Sequence, residues 1–273
     1  MNLMGKPAAS ETGTVDTCSR IADGVAHGAN GAVREIAWAL PGEVPVAIQI
    51  NTESFTVMMA TPADIRDFAV GIVLSEGLVR DTGDLRGVLV MPVDNGITVD
   101  IAVAEGAFDA TRMGRRSIEG RTGCGLCGVE DIAGALKPLP RLGSRFTPSP
   151  AAILKAARAL PSLQPMNLVN RSVHAAAWCS RAGDVLVVRE DVGRHNALDK
   201  LIGALALAGT DRCDGFVLMT SRCSFELVQK CALTGIGALA TVSAPTALAL
   251  DLARATGLYL AALGRDEAVV FNP

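Results

Sequence analysis

The chain has 273 residues and a net charge of −3, and it is 49% hydrophobic but only 4% aromatic. This length can bury a sizeable core in one large domain or two modest ones. The acidic balance and the shortage of aromatic residues argue against proteins that bind duplexes or stack on nucleic-acid bases. No apolar run is long enough to span a bilayer, and the N-terminus lacks a hydrophobic signal core. We therefore expect a cytoplasmic protein that binds neither membrane nor nucleic acid.

The first 137 residues divide into a tail and a small folded unit. Residues 1–31 are small and polar, which predicts a disordered tail with inert Cys18 and His27. Residues 44–51 and 54–60 alternate apolar and polar side chains, which predicts two strands joined by a turn at Asn51–Glu53. We therefore predict a small α+β domain over residues 32–137.

A helix and a second strand pair complete this unit. Thr61 and Pro62 predict a helix start, with the threonine as N-cap and the proline as first helical residue. Two more predicted strands flank the turn Asp94–Gly96. Residues 104–123 then lose all periodicity and carry arginines and glycines, and they lead into the cysteine pair, so that the loop spans residues 104–128. We predict a mobile basic loop there.

The second half alternates strands and helices. A helix is predicted from Ser149–Pro150 to about Leu160, after a proline-rich stretch. Repeated strand–helix–strand order predicts a largely parallel sheet with right-handed crossovers, so we assign residues 138–273 to an α/β domain. The predicted strands cover residues 173–179, 184–190, 214–220, 238–243, 257–263 and 268–271, and the later helices cover residues 196–208, 224–234 and 246–256.

Three strand-to-helix junctions mark the predicted ligand edge of this sheet. They read REDVGRHN (189–196), TSRCS (220–224) and SAPT (243–246). Ligands bind at the carboxyl ends of strands in such sheets, and helix N-termini suit phosphates. Helix capping is the alternative explanation for Ser224 and Ser243, but it does not explain the neighbouring arginines. The candidate residues for a phosphorylated ligand are Arg194, His195, Ser221, Arg222, Ser224, Ser243 and Thr246, with His174 as a weaker candidate.

The stretch GRTGCGLCG (120–128) places Cys124 and Cys127 two residues apart among glycines and beside an arginine. A structural zinc site needs four ligands, and the other cysteines form no second CxxC pair. A zinc deaminase would show HxE and PCxxC, whereas His174 begins HAA and a glycine precedes Cys124. A thioredoxin-like pair would directly follow a strand. The pattern favours a nucleophilic or carrier thiol over these alternatives.

The five remaining cysteines offer no comparable pattern. The chain has seven cysteines in all, which is an odd number, and their spacing is irregular. We therefore expect no disulfide framework. We expect inert, mostly buried thiols at Cys179, Cys213, Cys223 and Cys231. A Walker loop and a GxGxxG fingerprint are also missing from the sequence, which argues against a standard ATPase or dinucleotide dehydrogenase.

Residues 40–273 resemble the FdhD family of formate dehydrogenase accessory sulfurtransferases. The stretches that carry the resemblance are VMMATPADIRDFAVGIVLSEGL, TGCGLCG, VHAAAW, REDVGRHNALDKLIG, TSRCSFELVQK and SAPTALALDLARATGLYLAALGR. The resemblance implies a three-layer main domain similar to cytidine deaminases, without their zinc chemistry and without a protein-ligated metal. It also implies a cytoplasmic homodimer.

The resemblance further implies an activity. Such proteins take a sulfane sulfur from a cysteine desulfurase and pass it to the molybdenum cofactor, in its bis-molybdopterin guanine dinucleotide form, before that cofactor enters formate dehydrogenase. Cys124 matches the persulfide cysteine and Cys127 the second loop cysteine. GDP would be a partial mimic of the cofactor.

The resemblance also places a cofactor segment after the last long apolar strand. That segment usually opens with an aromatic residue, where this chain has a leucine; its residues here are Leu263, Gly264, Arg265, Asp266, Glu267 and Ala268. Two other functions remain open from the sequence. One is a cofactor-binding chaperone without thiol chemistry, and the other is a zinc enzyme of deaminase type.

Overall fold

The computed structural model describes residues 18–108, 138–143 and 146–273. These residues form three β-sheets and six α-helices. The strands are β1 Ser19–His27, β2 Val33–Pro41, β3 Val44–Ile50, β4 Glu53–Ala60, β5 Leu85–Val93, β6 Gly96–Val103, β7 His174–Ser180, β8 Val185–Asp191, β9 Gly215–Cys223, β10 Ala238–Pro245, β11 Tyr259–Leu263 and β12 Ala268–Asn272. The helices are α1 Ile65–Ser75, α2 Pro150–Ala159, α3 Pro165–Asn170, α4 Arg194–Leu207, α5 Phe225–Leu233 and α6 Ala247–Thr256, with short 3₁₀ turns at Thr82–Asp84 and Leu160–Leu163.

The N-terminal region contains an antiparallel hairpin that the sequence analysis missed. Strands β1 and β2 pair over nine residue positions, from Ser19 with Pro41 to His27 with Val33. The predicted disordered tail over residues 1–31 is therefore wrong from Ser19 onward, and residues 1–17 lie outside the described part of the chain. The short apolar alternation in β1 is weakened by Gly24 and two alanines, which explains why it was not recognised as a strand.

A four-stranded sheet with the order β4-β3-β6-β5 follows the hairpin. Its two predicted turns are confirmed. Asn51 and Thr52 take positive φ values of 49° and 68°, and Asn95 takes 65°, as tight hairpin turns require. Helix α1 begins at Ile65 rather than at Pro62. Thr61 is not its N-cap, because the Thr61 hydroxyl accepts a hydrogen bond from the Val192 N–H at 3.1 Å.

The six-stranded sheet has the order β12-β11-β10-β9-β7-β8. The predicted strands and helices of this half are confirmed within a few residues, but the expected largely parallel arrangement is wrong. Only β9–β10 and β10–β11 are parallel; β7 runs antiparallel to both β8 and β9, and β12 to β11. The turns between β7 and β8 and between β11 and β12 span four residues each, which is too short for a parallel crossover.

One apolar core joins the two sheets. It runs from the small sheet through α1, α4, α5 and α6 to one face of the large sheet. Helix α2, with Ser149 accepting a hydrogen bond from the Ala152 N–H as predicted, covers the other face of that sheet. The α/β class is thus confirmed, whereas the cytidine-deaminase-like layering and the boundary at residues 137 and 138 stay predictions. In the described part of the chain, no helix is long and apolar enough to cross a membrane.

Helices α1 and α4 touch through two glycines. A Cβ atom added at Gly71 would fall on the backbone of Asp199, and one added at Gly203 would fall on the backbone of Asp67; both contacts are well under the 3.0 Å that real Cβ atoms keep. Only glycine allows two backbones to approach this closely. The contact ties α1, from the first half of the chain, to α4, from the second half.

Candidate functional site

The motif REDVGRHNALDK lies at the junction of β8 and α4, and much of it makes interior contacts. The Asp191 carboxylate accepts hydrogen bonds from the Thr61 N–H at 2.9 Å, the Gly193 N–H at 2.8 Å and the Asn196 amide at 2.9 Å. The Lys200 ammonium lies 2.7 Å from the same carboxylate, and both side chains are fully buried. The negative charge of Asp191 is therefore compensated inside the protein by the Lys200 ammonium and by three hydrogen-bond donors.

Two further charged residues of this motif, Arg189 and Asp199, are also paired. Buried Asp199 on α4 receives Lys230 of α5 at 2.9 Å and the Ser75 hydroxyl at 2.6 Å. Arg189 lies 2.7 Å from Asp67 on α1. These contacts hold the junction against α1 and α5. Arg194 and His195, at the start of α4, lie at the edge of the sheet. The sequence analysis did not separate the structural residues of this motif from the residues at the edge.

The carboxyl ends of β8, β9, β10 and β11 meet at one edge of the large sheet. Strands β9, β10 and β11 are parallel, and β8 runs in their direction because β7 is antiparallel to both β8 and β9. Helices α4, α5 and α6 begin directly after β8, β9 and β10. The structure therefore brings the three predicted junctions together, as expected.

His195, Ser224 and Glu226 form the buried part of this edge. The His195 Nε2 atom lies 3.5 Å from the Ser224 hydroxyl and 3.9 Å from a Glu226 carboxylate oxygen. Ser224 makes no capping hydrogen bond to α5, so the capping explanation fails for this residue. Burial alone would raise the pKa of Glu226, but His195 and Ser224 outweigh it and hold that pKa below the ordinary value. Glu226 was not predicted as a site residue, because a serine followed by a glutamate in the first turn is a common helix start.

His174 and Arg194 lie beside this group. His174 opens β7 and pairs in register with Asp191 at the end of β8. Burial, followed by the charges of Arg194 and His195, lowers the pKa of His174 below its ordinary value, while Asp191 acts in the opposite direction. A neutral imidazole in this position can gain a proton when an anion binds next to it. Arg194 is the first residue of α4, whose N-cap Gly193 supplies no side-chain cap.

The ends of β9 and β10 supply the next part of the edge. Arg222 and Ser243 are exposed register partners on these two strands. Ser221 is buried, and its hydroxyl donates to the Arg222 carbonyl at 2.9 Å. Thr246 caps α6 by accepting a hydrogen bond from the Ala249 N–H at 3.2 Å, which is a structural role. Arg222 is thus the member of this set with an accessible charge.

The predicted cofactor segment is the turn between β11 and β12. Leu263 and Ala268 are register partners that close the turn and pack against the core. Gly264, Arg265, Asp266 and Glu267 are exposed, and the Gly264 N–H donates to the Glu267 carbonyl at 2.8 Å. Since Thr241 pairs with Ala262, the turn lies at the same edge as Ser243. The structure therefore adds Arg265 to the basic groups of this edge.

Comparison with known protein families shows which family shares this edge. The sequence model of the FdhD/NarQ family matches residues 41–272, which include every edge residue described above. This chain belongs to the FdhD/NarQ family. The matched region begins where β2 ends, so most of the β1–β2 hairpin lies outside it.

Individual relatives agree with this assignment. The chain is 42% identical to the sulfur carrier protein FdhD of Bordetella petrii, over 100% of this chain and 98% of the relative. It is 50% identical to the sulfur carrier protein FdhD of Chromobacterium violaceum, over 84% of this chain and 86% of the relative. A crystal structure from Desulfotalea psychrophila, described as a formate dehydrogenase accessory protein, is 25% identical with a TM-score of 0.74, covering 94% of this chain and 97% of that one.

The cysteines of this family member fall into three groups. Cys124 and Cys127 lie outside the described residues, so their roles stay predictions. Cys18, Cys179, Cys223 and Cys231 are buried. Burial raises the pKa of both Cys179 and Cys223 to about 12, which keeps these thiols protonated and unreactive, as expected. Cys213 is exposed, so its predicted burial is wrong.

The edge residues that the structure describes do not form the ligand set of a metal centre. In residues 18–108, 138–143 and 146–273, no group of three or more His, Cys, Asp and Glu side chains lies close enough to hold a metal ion. What these residues do provide is two uncapped helix N-termini, two exposed arginines and two histidines. This combination suits an anionic ligand with phosphate groups.

Proposed function

We propose that this protein is a sulfur carrier that serves formate dehydrogenase. The observation that carries the proposal is the match to the FdhD/NarQ family over residues 41–272, together with relatives named sulfur carrier protein FdhD. The sequence supports it with a thiol pair beside Arg121, in the stretch GRTGCGLCG. A neighbouring arginine favours the thiolate, which is the nucleophilic form of cysteine.

The proposed reaction is a transfer of neutral sulfur. The Cys124 thiolate attacks the terminal sulfur of a persulfide on a cysteine desulfurase. A new S–S bond forms on Cys124, the S–S bond of the donor breaks, and the donor cysteine leaves as a thiolate. The chain then delivers that sulfur to the bis-molybdopterin guanine dinucleotide cofactor, its substrate. The cofactor would supply the electron pair for the new bond to the outer sulfur, the S–S bond to Cys124 would break, and Cys124 would leave as a thiolate. Cys127 either carries the sulfur in turn or assists its release.

The basic sheet edge is proposed to hold the nucleotide arms of this substrate. Phosphates would contact the N-terminus of α4, with Arg194 and His195, and the exposed guanidinium groups of Arg222 and Arg265. His174 would gain a proton as the anion binds. A cytoplasmic location, a homodimer and contact with formate dehydrogenase complete the proposal.

The edge assignment predicts the effect of charge reversal. Arg222→Glu and Arg265→Glu should each weaken GDP binding about tenfold or more, since a charge-assisted hydrogen bond contributes roughly 1.5–3 kcal/mol and becomes a repulsion. Isothermal titration calorimetry with GDP measures this. Arg254→Glu is the matched control, because Arg254 is exposed in the last turn of α6, away from the edge. Equal affinities in all four proteins would move the nucleotide site elsewhere.

The sulfur step is tested by intact-protein mass spectrometry after incubation with cysteine and a cysteine desulfurase. Wild type should gain the mass of one sulfur or more, and Cys124→Ala should gain none, while Cys127→Ala shows whether the second thiol is required. Cys213→Ala is the control, because Cys213 is exposed but lies outside the pair. Formate dehydrogenase activity in cells that depend on each variant gives the second measurement. Full activity with Cys124→Ala would reject sulfur transfer and favour a chaperone without thiol chemistry.

A further inference from the structure

The β1–β2 hairpin is a two-stranded sheet with open edges. Within the described residues, no third strand pairs with β1 or with β2. Helix α3 packs against the hairpin, and the Asn170 amide donates to the Ser19 hydroxyl at 3.1 Å. A two-stranded sheet is marginally stable in water by itself, and open strand edges attract further strands. The hairpin therefore needs a further packing partner besides α3.

The hairpin also exposes large apolar side chains. Ile21 is 64% exposed, Val33 62% and Trp38 52%. Trp38 is one of only two tryptophans in the sequence, and the other, Trp178, is buried. Register partners share a face, so Ile21 and Val33 lie on one face of the hairpin and Trp38 lies on the other. Exposed apolar side chains of this size on both faces mark the hairpin as an interaction surface.

Strand β2 is complementary to a second copy of itself. Antiparallel pairing of two β2 strands about Ala37 uses the full length of the strand. Ile36 then lies opposite the copy's Trp38, twice by symmetry, and aromatic–β-branched pairs of this kind stabilise sheets. Arg34 lies opposite Leu40, and Glu35 opposite Ala39, so that no like charges face each other.

Strand β1 lacks this complementarity. Full-length antiparallel pairing of two β1 strands is centred on Asp23, and it would place the two carboxylates directly opposite each other. Like charges in that position destabilise a sheet. The open edge that suits a second copy is therefore the β2 edge.

We propose that two copies of this chain associate through their β2 strands, forming a four-stranded antiparallel sheet in the order β1-β2-β2-β1. The interface is isologous, as expected for a twofold dimer. The inference assigns a surface to the homodimer included in the proposed function. It does not depend on sulfur transfer or on nucleotide binding, so the experiments below can fail while those proposals stand.

A cysteine at the symmetry centre tests the register. Opposed residues in antiparallel strands have Cα atoms roughly 4.5–5.5 Å apart, within the range of a disulfide. Ala37→Cys, in a chain that also carries Cys124→Ser, Cys127→Ser and Cys213→Ser, should form a covalent dimer on mild oxidation. Asp23→Cys in the same background is the matched control, because Asp23 is the register partner of Ala37 on β1. Cross-linking of Asp23→Cys in preference to Ala37→Cys would overturn the proposal.

A second variant tests the energetics without added thiols. Wild type should be dimeric by sedimentation, and its tryptophan emission should shift to the blue as concentration rises, since Trp38 becomes covered while Trp178 is already buried. Trp38→Glu should raise the dimer dissociation constant about tenfold or more, because it removes two cross-strand pairs and adds buried charge. Val25→Glu on β1 should leave the constant unchanged. A monomeric wild type, or a Trp38→Glu protein as dimeric as wild type, would overturn the proposal.

Discussion

Gly71→Ala is expected to lower the melting temperature by at least about 6 °C. The added methyl group would collide with the backbone of Asp199 on α4, and a backbone cannot rotate aside as a flexible side chain can. Overpacking costs about 1–3 kcal/mol in general, and we expect the upper end here. In a chain of this size each kcal/mol corresponds to roughly 2–4 °C. Thermal unfolding followed by circular dichroism measures the shift.

Two further substitutions sharpen this test. Gly203→Ala should destabilise to a similar degree, because its methyl group would meet the backbone of Asp67 on α1. Gly87→Ala is the control, since a Cβ atom at Gly87 has open space around it and the residue lies within strand β5. A melting temperature of Gly71→Ala equal to that of Gly87→Ala would contradict the close approach of α1 and α4.

Lys200→Met should lower stability by about 3 kcal/mol. The substitution keeps the volume of the side chain but leaves the Asp191 carboxylate, which is fully buried, without its cation. Breaking one side of a buried pair costs roughly 3–5 kcal/mol, and we expect the lower end because Thr61, Gly193 and Asn196 still donate to Asp191. Urea unfolding measures the loss.

The comparison for Lys200→Met is an exposed ion pair. Lys155 lies 2.6 Å from Asp184, and both side chains are more than half exposed, so Lys155→Met should not change stability measurably. The double variant Lys200→Met, Asp191→Asn should recover part of the loss, because it removes the uncompensated charge. Equal stabilities of Lys200→Met and Lys155→Met would show that the buried pair contributes nothing.

Much of the fold was accessible from sequence patterns. Alternating apolar residues and turn signals located ten of the twelve strands among the described residues, and helix starts such as Ser149–Pro150 were also recognised. The same local signals could not give the direction of β7, which depends on its pairing with β8 and β9. They also failed for the β1–β2 hairpin, because its alanines and Gly24 interrupt the alternation of large apolar and polar side chains.

The candidate site was predicted in outline but not in detail. Junction motifs correctly indicated that Arg194, His195, Ser224 and Arg222 share one sheet edge. The sequence alone could not show that Thr246 caps α6 or that Glu226 contacts His195. Both depend on side-chain directions that only the packed structure fixes.

The contact between α1 and α4 joins the two halves of the chain without using the segment that connects them. The glycine contact, the hydrogen bond from the Thr61 N–H to Asp191 and the hydrogen bond from the Ser75 hydroxyl to Asp199 hold the two halves together through the interior. The connecting segment, which carries Cys124 and Cys127, is therefore not needed as a tether. Under the proposed function, the sequence of this segment would be constrained by sulfur transfer alone, and changes in its length or composition would leave the contacts between the two halves intact.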